Sequence, residues 1–348
     1  PLAPGDSIKI SYLNQGIFTQ TLFTPKSPFF VTNNGTQISI PLSIAPFDRK
    51  EQWTVQGRIA PSYPDGEKVY ADNQALETTY KIQTYDMLPS LKEVTPREGT
   101  SIISKDISLS VEDGFADEAK LLIQNLKEMG YNVTDKGQTV IALCHFPQNM
   151  QAKNDEHYRL DVKDKYITVS GGTPHAIFNG TQTLVSLLKK QTIPAKLENI
   201  AINDYPDLLY RGMMLDIARN FTKKADLLKL INQLAAYKIN VLHFHFSDDE
   251  AWRLEIPGLE ELTAIGSRRG FTEDESQCLY PVYYGGWNPN DTTATANGYY
   301  TREDFIEVLQ YAAKRHITVI PEIESPGHAR AAIKAMEARF NRLKGEDM

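Results

Sequence analysis

The stretch that decides the fold runs from Arg211 to Gly270: RGMMLDIARNF at 211–221, a helix-like segment at 223–237, then VLHFHFSDDEAWRLEIPGL at 241–259. Leu208 to Ala218 is an apolar run interrupted by Arg211 and ended by Asp216 and Arg219. Such runs suit strands covered on both faces in a parallel sheet. Lys223 to Tyr237 places Leu227, Leu230, Ile231, Leu234 and Ala235 at three- and four-residue spacings, with Thr222 as the expected cap. That spacing predicts one apolar face on an amphipathic helix. Val241 to Phe246 returns to strand character and hands over to Ser247, Asp248 and Asp249. A third unit follows, with helix-like Thr301–Arg315 and the strand Ile317–Ile323, inside ITVIPEIESPGHA at 317–329, ending among Glu322, Glu324 and His328. Strand, helix and strand with charged residues at each strand's carboxyl end is the layout of a (β/α) barrel, whose chemistry lies on that rim. An open doubly wound sheet shows the same local pattern, and periodicity alone leaves both.

Length sets how much of a barrel to expect. Eight closed units take roughly 250 residues. Residues 205–348 suffice for the first three or so, and the polar GWNPNDTTATANG at 286–298 reads as a rim loop that adds no strand. The expectation is the first part of a (β/α)8 TIM barrel, incomplete in this chain, with an open parallel edge for the remaining half to cover. Residues 87–204 read as an α+β domain, with helices at 116–129 and 174–188 and strands at 139–143 and 166–170, entered through a Pro-containing link at 87–99. Residues 1–86 carry short alternating runs, Ser7–Tyr12 and Gln37–Ile40 among them, separated by Pro, Gly and Asn turns. That pattern fits an N-terminal β-sandwich.

RGMMLDIAR, HFHFSDDEAWR and PEIESPGHA together resemble the family 20 glycoside hydrolases, the β-N-acetylhexosaminidases, over roughly residues 204–338. Residues 88–203 are similar to the small α+β domain that precedes the barrel in that family. The resemblance implies removal of terminal β-linked N-acetylglucosamine or N-acetylgalactosamine with retention of configuration, without metal or organic cofactor. Family 20 departs from the usual two-carboxylate retaining scheme. The substrate's acetamido oxygen attacks the anomeric carbon to form an oxazolinium ion, a Glu protonates the leaving oxygen, and the Asp before it orients the acetamido group. That acid pair follows the fourth strand in a GGDE-like motif, and none occurs before Met348. Asp249-Glu250 belongs to the second-strand motif and Asp274-Glu275 to a polar loop, so neither is assigned the catalytic role. No residue of this chain is expected to be catalytic, and the fragment alone is expected to be inactive.

The resemblance does imply substrate-binding residues. Arg219 matches the arginine that grips hydroxyls of the terminal sugar; a guanidinium's fixed fork suits paired oxygens, although pairing with Asp216 for stability is the competing reading. Asp248 and His328 match an acidic residue and a histidine of the pocket, against the plainer readings of loop carboxylate and rim cap. His245, Glu324 and Asp216 are the expected supporting network, with Glu324 standing where the family more often has Asp. His243 and His245 share a strand face and, with Asp248, invite a metal reading. Without a suitable third histidine, that reading is disfavoured, and His243 is expected to be buried and satisfied. Trp252 and Arg253 read equally as structural or loop-positioning; Trp287 reads as a ring for stacking or for packing.

Composition agrees with a folded multidomain chain: 348 residues, 41% hydrophobic, net charge −7 and a pI near 5.6. The mild acidity gives no reason to propose nucleic acid or an anionic membrane as partner. No segment reaches the length of a membrane helix. Cys144 and Cys278 are far apart, and nothing supports pairing them. The Asn-X-Thr triplets at Asn34, Asn132, Asn179, Asn220 and Asn290 matter only in a eukaryotic secretory host. The expected partners are a glycan with a terminal β-linked N-acetylhexosamine and the remaining half of the same barrel. The expected location is outside the cytoplasm, as family habit favours an exported enzyme. Two other classes stay open here: a catalytically silent sugar-binding fragment and, more distantly, a metal-dependent barrel hydrolase.

Overall fold

The computed structural model describes residues 87–282 and 287–346, with Ser7 and short stretches at 28–32, 36–43, 54–55, 58–59 and 66–77 before them. The chain divides into two compact units, Pro1–Ile82 and Gln83–Met348. In the first, β1 (Phe29–Val31) pairs antiparallel with β2 (Gln37–Ser39), and β3 (Thr54–Val55) with β4 (Arg58–Ile59). Helix α1 (Gly66–Glu77) is not anticipated by the alternation of this region. β2 falls on the run read as a strand from Gln37; residues 8–12 of the other run lie outside the described residues.

The second unit opens with a seven-stranded mixed sheet of order β5-β11-β9-β10-β8-β6-β7. Its strands are β5 (Glu93–Ile103), β6 (Asp106–Val111), β7 (Asn132–Val133), β8 (Thr139–His145), β9 (Tyr158–Lys163), β10 (Tyr166–Gly171) and β11 (Ala195–Asp204). Helices α2 (Ala116–Glu128) and α3 (Pro174–Lys189) follow the predicted bounds closely. α2 lays Ala119, Leu122 and Leu126 against the sheet's Ile107, Ile141, Leu143 and Val169. α3 starts cleanly because Thr173 Oγ1 accepts from the Ala176 amide at 3.1 Å and Pro174 occupies the first turn. The link expected at 87–99 is shorter than read, since β5 begins at Glu93 and runs through Pro96 and Gly99. As an edge strand with β11 alone beside it, β5 tolerates a proline that a central strand would not.

The second layer is the barrel portion. Its parallel strands β12 (Gly212–Asp216), β13 (Val241–His245) and β16 (Thr318–Glu322) are ordered β12-β13-β16. Helices α4 (Lys224–Ala236) and α6 (Arg302–Ala313) form the crossovers. Between them lie the hairpin of β14 (Ser247–Asp248) with β15 (Ala251–Trp252) and the short α5 (Glu261–Ala264); α7 (Arg330–Glu346) follows β16. Leu215, Leu242, Phe244 and Val319 point outward into one core with Leu227, Ile231, Leu234, Val308 and Ala312 of the helices. α4 is capped by Lys223 without a side-chain bond, not by Thr222. The expectation that Leu208–Ala218 is covered on both faces fails: Leu208 and Leu209 are exposed ahead of the strand, and Met214 is exposed because the helices cover only the face that carries Leu215.

α3 joins the two layers. Its Phe178 sits in the barrel's core cluster, and at the seam Lys238 donates to Asp204 at 2.8 Å while Arg211 forks onto Glu156. The barrel portion therefore stands on the α+β layer by its amino-terminal end, leaving the carboxyl ends of its strands free for chemistry.

Candidate active site

Pairing register assembles the site. Asp216, His245 and Glu322 are partners in one row across β12, β13 and β16, at the carboxyl end of all three strands. Because side chains alternate, Met214, His243 and Ile320 two residues earlier share that inner face, opposite the helices. The chain just beyond each strand then delivers Arg219, Asp248 and His328 to the same place.

Asp248 is the hub, with its side chain 2% exposed. Its Oδ2 accepts from Arg219 Nη2 at 2.6 Å and His245 Nε2 at 2.9 Å. Its Oδ1 accepts from the Asp249 amide at 2.7 Å and faces His328 Nδ1 at 3.1 Å. Burial works to raise the Asp248 pKa, but the Asp249 amide, His245, Arg219 and His328 outweigh it and hold the carboxylate below its ordinary value. Arg219 also donates through Nη1 to Asp216 Oδ2 at 3.0 Å and through Nε to Glu250 Oε2 at 3.1 Å. Its fork is thus aimed by three carboxylates while its tip stays partly exposed. His328 is exposed and sits at φ 51, a left-handed conformation uncommon for a side-chain-bearing residue and concentrated at functional sites.

The structure brings together Arg219, Asp248, His328, His245 and Asp216. Glu324 stands at the margin: its amide donates to Ser247 Oγ at 3.0 Å, and its carboxylate lies near His245 and Glu322. His243 is not buried as expected but half-exposed on the inner face, 2.7 Å from Glu322 Oε2. Among the described residues, close donor atoms gather as His245–Glu322–Glu324 and as Asp248–Asp249–His328, not as the trio of His243, His245 and Asp248. His245 has a carboxylate on each ring nitrogen, at 2.9 Å and 2.9 Å, and offers no free lone pair to a metal. Glu250 and Glu322 are the members that the sequence reading leaves out of the site. Glu322's signal is its place as last residue of the third strand; Glu250 carries none, since a tight hairpin turns it back onto Arg219.

Arg253 resolves to loop positioning. It is fully buried and uses all five N–H donors on backbone carbonyls: Ile217 and Ala218 ahead of Arg219, Ser267, and Ala296 and Gly298 of the rim loop, at 2.8–3.0 Å. Arg269 adds a bond to the Arg219 carbonyl at 2.5 Å. Trp252 is buried and donates to the Leu254 carbonyl. Glu275 is equally structural, a buried carboxylate receiving Arg330 at 2.5 Å. Cys144 and Cys278 are both free thiols. Asn179 is buried with its amide on Glu156 at 2.9 Å, so that triplet is closed to glycosylation.

Comparison with known proteins agrees with this geometry over both layers. Residues 84–205 match "Glycosyl hydrolase family 20, domain 2", and residues 208–347 match "Glycosyl hydrolase family 20, catalytic domain". The chain belongs to glycoside hydrolase family 20. This family 20 chain is 35% identical over 315 residues to β-hexosaminidase B of Pseudoalteromonas piscicida, covering 90% of itself and 39% of that protein. It is also 35% identical to the N,N′-diacetylchitobiase of Vibrio harveyi, covering 84% of itself and 33% of that relative. Among solved structures it superposes on the family 20 exo-β-N-acetylglucosaminidase of Vibrio harveyi in complex with N-acetylglucosamine. The TM-score is 0.63 at 30% identity, over 72% of this chain and 38% of that one. The family 20 chain therefore spans well under half the length of these relatives.

Proposed function

We propose that this family 20 chain forms the amino-terminal part of an exo-β-N-acetylhexosaminidase. Its target is a glycan ending in β-linked N-acetylglucosamine or N-acetylgalactosamine, cleaved by substrate-assisted retaining hydrolysis. The single observation that carries the reading is the convergence of Arg219, Asp248 and His328 at the carboxyl ends of three parallel strands. A partly exposed guanidinium fixed on its inner side by carboxylates presents its remaining edge to a pair of sugar hydroxyls. Asp248, held ionised, keeps that edge and His328 in place. The names of the similar proteins, β-hexosaminidase and chitobiase, support the substrate class.

In this reading the Asp-Glu acid pair comes from the remaining half of the barrel, which also covers the open edge of β12. Residues 1–86 are a β-sandwich-like module, 87–204 a supporting α+β domain and 205–348 the opening of the catalytic barrel. In this reading the enzyme works outside the cytoplasm, as the resemblance to an exported family implies. Separately, no helix among the described residues is long and apolar enough to cross a membrane. The test is hydrolysis of a chromogenic β-N-acetylglucosaminide by the purified natural-length polypeptide, with its intact mass measured under denaturing conditions. Turnover by a species heavier than 39.2 kDa is the expected result. A barrel-complete protein that binds N-acetylglucosamine without turnover makes it a silent sugar binder instead.

A further inference from the structure

Glu322 has no role in the reading so far, yet it ends β16 on the inner face beside both histidines of β13. Its Oε2 receives His243 Nε2 at 2.7 Å and His245 Nδ1 at 2.9 Å, while the other nitrogen of His245 lies 2.9 Å from Asp248 Oδ2. A neutral imidazole has one N–H and would set its other lone pair against a carboxylate. Only the imidazolium satisfies both contacts. The groups facing this ring are Glu322 from β16, Asp248 from β14, Asp216 from β12 and Glu324 beyond β16. Opposing them are Arg219, with Nη1 at 3.4 Å from His245 Nε2, and His243, which shares Glu322. Burial works to lower the His245 pKa, but the hydrogen bonds it donates to Glu322 and Asp248 and the attraction of Glu322 and Asp216 outweigh it, and the net direction is upward.

We propose that Glu322 is a positioning residue, which holds His245 as an imidazolium under Asp248 and thereby fixes the Asp248 carboxylate between Arg219 and His328. The ring acts as a charged wedge. A neutral ring that keeps its one proton on Nδ1, toward residue 322, turns a lone pair on Asp248 Oδ2; the carboxylate then swings, and Arg219 loses the partner that aims its outer edge. The proposal rests on the hydrolase reading for what Arg219 and Asp248 bind.

The experiment uses the natural-length protein and its Glu322→Gln and Glu322→Asp variants. Long-range spectra of ring-15N histidine report the protonation of His245, and calorimetry with N-acetylglucosamine reports binding between pH 5 and 8. Glu322→Gln is expected to lower the His245 pKa by about one unit or more and to weaken binding near pH 7.5 about tenfold, with recovery toward pH 5. Glu322→Asp keeps the charge and is expected to retain the protonated ring. A purely structural Glu322 would change stability without moving the ring signal. An unshifted His245 in Glu322→Gln overturns the proposal, as does a deprotonated ring with unaltered binding. A wild-type protein that binds no sugar at any pH refutes the hydrolase reading instead, and the ring spectra separate the two failures because they need no ligand.

Discussion

At the residue scale, the site is built from charges that constrain one another, so conservative changes are expected to have unequal effects. Arg219→Lys keeps the charge but replaces a fork serving Asp216, Asp248 and Glu250 with a point donor. In the natural-length enzyme we expect kcat/KM on an aryl N-acetylglucosaminide to fall by about a hundredfold or more, a loss of about 3 kcal/mol in transition-state binding. Arg253→Met tests a different function. It takes the arginine from the carbonyls of Ile217, Ala218 and Ala296, all buried, and of half-buried Gly298, while Ser267 keeps the Gly298 amide; a buried carbonyl costs about 1–3 kcal/mol when unsatisfied. A loss of roughly 3 kcal/mol or more in urea unfolding is expected. The two arginines look alike in the sequence, each a single cation after a strand. What separates them is that the 296–298 loop folds back over one and not the other, a contact between residues about 45 positions apart that no local pattern encodes.

Elements with strong periodicity are legible from sequence to within a residue or two. α2, α3 and α6 begin and end close to their predicted bounds because apolar spacing marks all three, and Thr173 and Thr301 cap the starts of α3 and α6. α6 adds a reciprocal box, with Thr301 Oγ1 accepting from the Asp304 amide at 3.1 Å and Asp304 Oδ2 from the Thr301 amide at 3.2 Å. Removing it by Thr301→Ala is expected to cost about 1 kcal/mol, read from the urea midpoint. α3 carries a tighter constraint at Gly180. A Cβ there would lie 2.4 Å from Val169 Cγ1 and 3.0 Å from the Tyr158 ring, so Gly180→Ala is expected to destabilise by about 1–3 kcal/mol despite alanine's better helix propensity. Legibility ends where tertiary context overrides local signals. Pro96 and Gly99 read as a linker yet lie in an edge strand, and two-residue strands such as β14 and β15 leave no period to detect. The same short hairpin puts Glu250 beside Arg219, which explains why the motif names the site but not its full membership.

For the whole molecule, the seam between the α+β layer and the barrel decides how acid acts on it. His175 of α3 stacks on His316 with ring centres 4.7 Å apart, and His316 bonds Glu118 of α2 at 3.0 Å. Burial lowers the His175 pKa from 6.5 to about 4, although Glu156 pulls the other way. Above pH 6.5 the ring is neutral in both folded and unfolded chains. Between 6.5 and about 4 the unfolded chain takes up the proton and the folded one does not, so stability falls as pH falls, by up to about 3 kcal/mol. His175→Gln is expected to flatten that part of the stability–pH curve; an unchanged slope would assign the acid loss elsewhere. Ionic strength should divide the molecule differently. Exposed pairs such as Lys120–Asp117 and Lys229–Asp226 weaken as added ions shorten the screening length to about 3 Å at 1 M. Arg253 instead places its charge among five neutral carbonyls, sealed from solvent, where dissolved ions cannot reach. The loops that carry Arg219 and the 296–298 segment are thus fastened by a charge that brine does not screen, and their arrangement should be the same in dilute buffer and in concentrated salt.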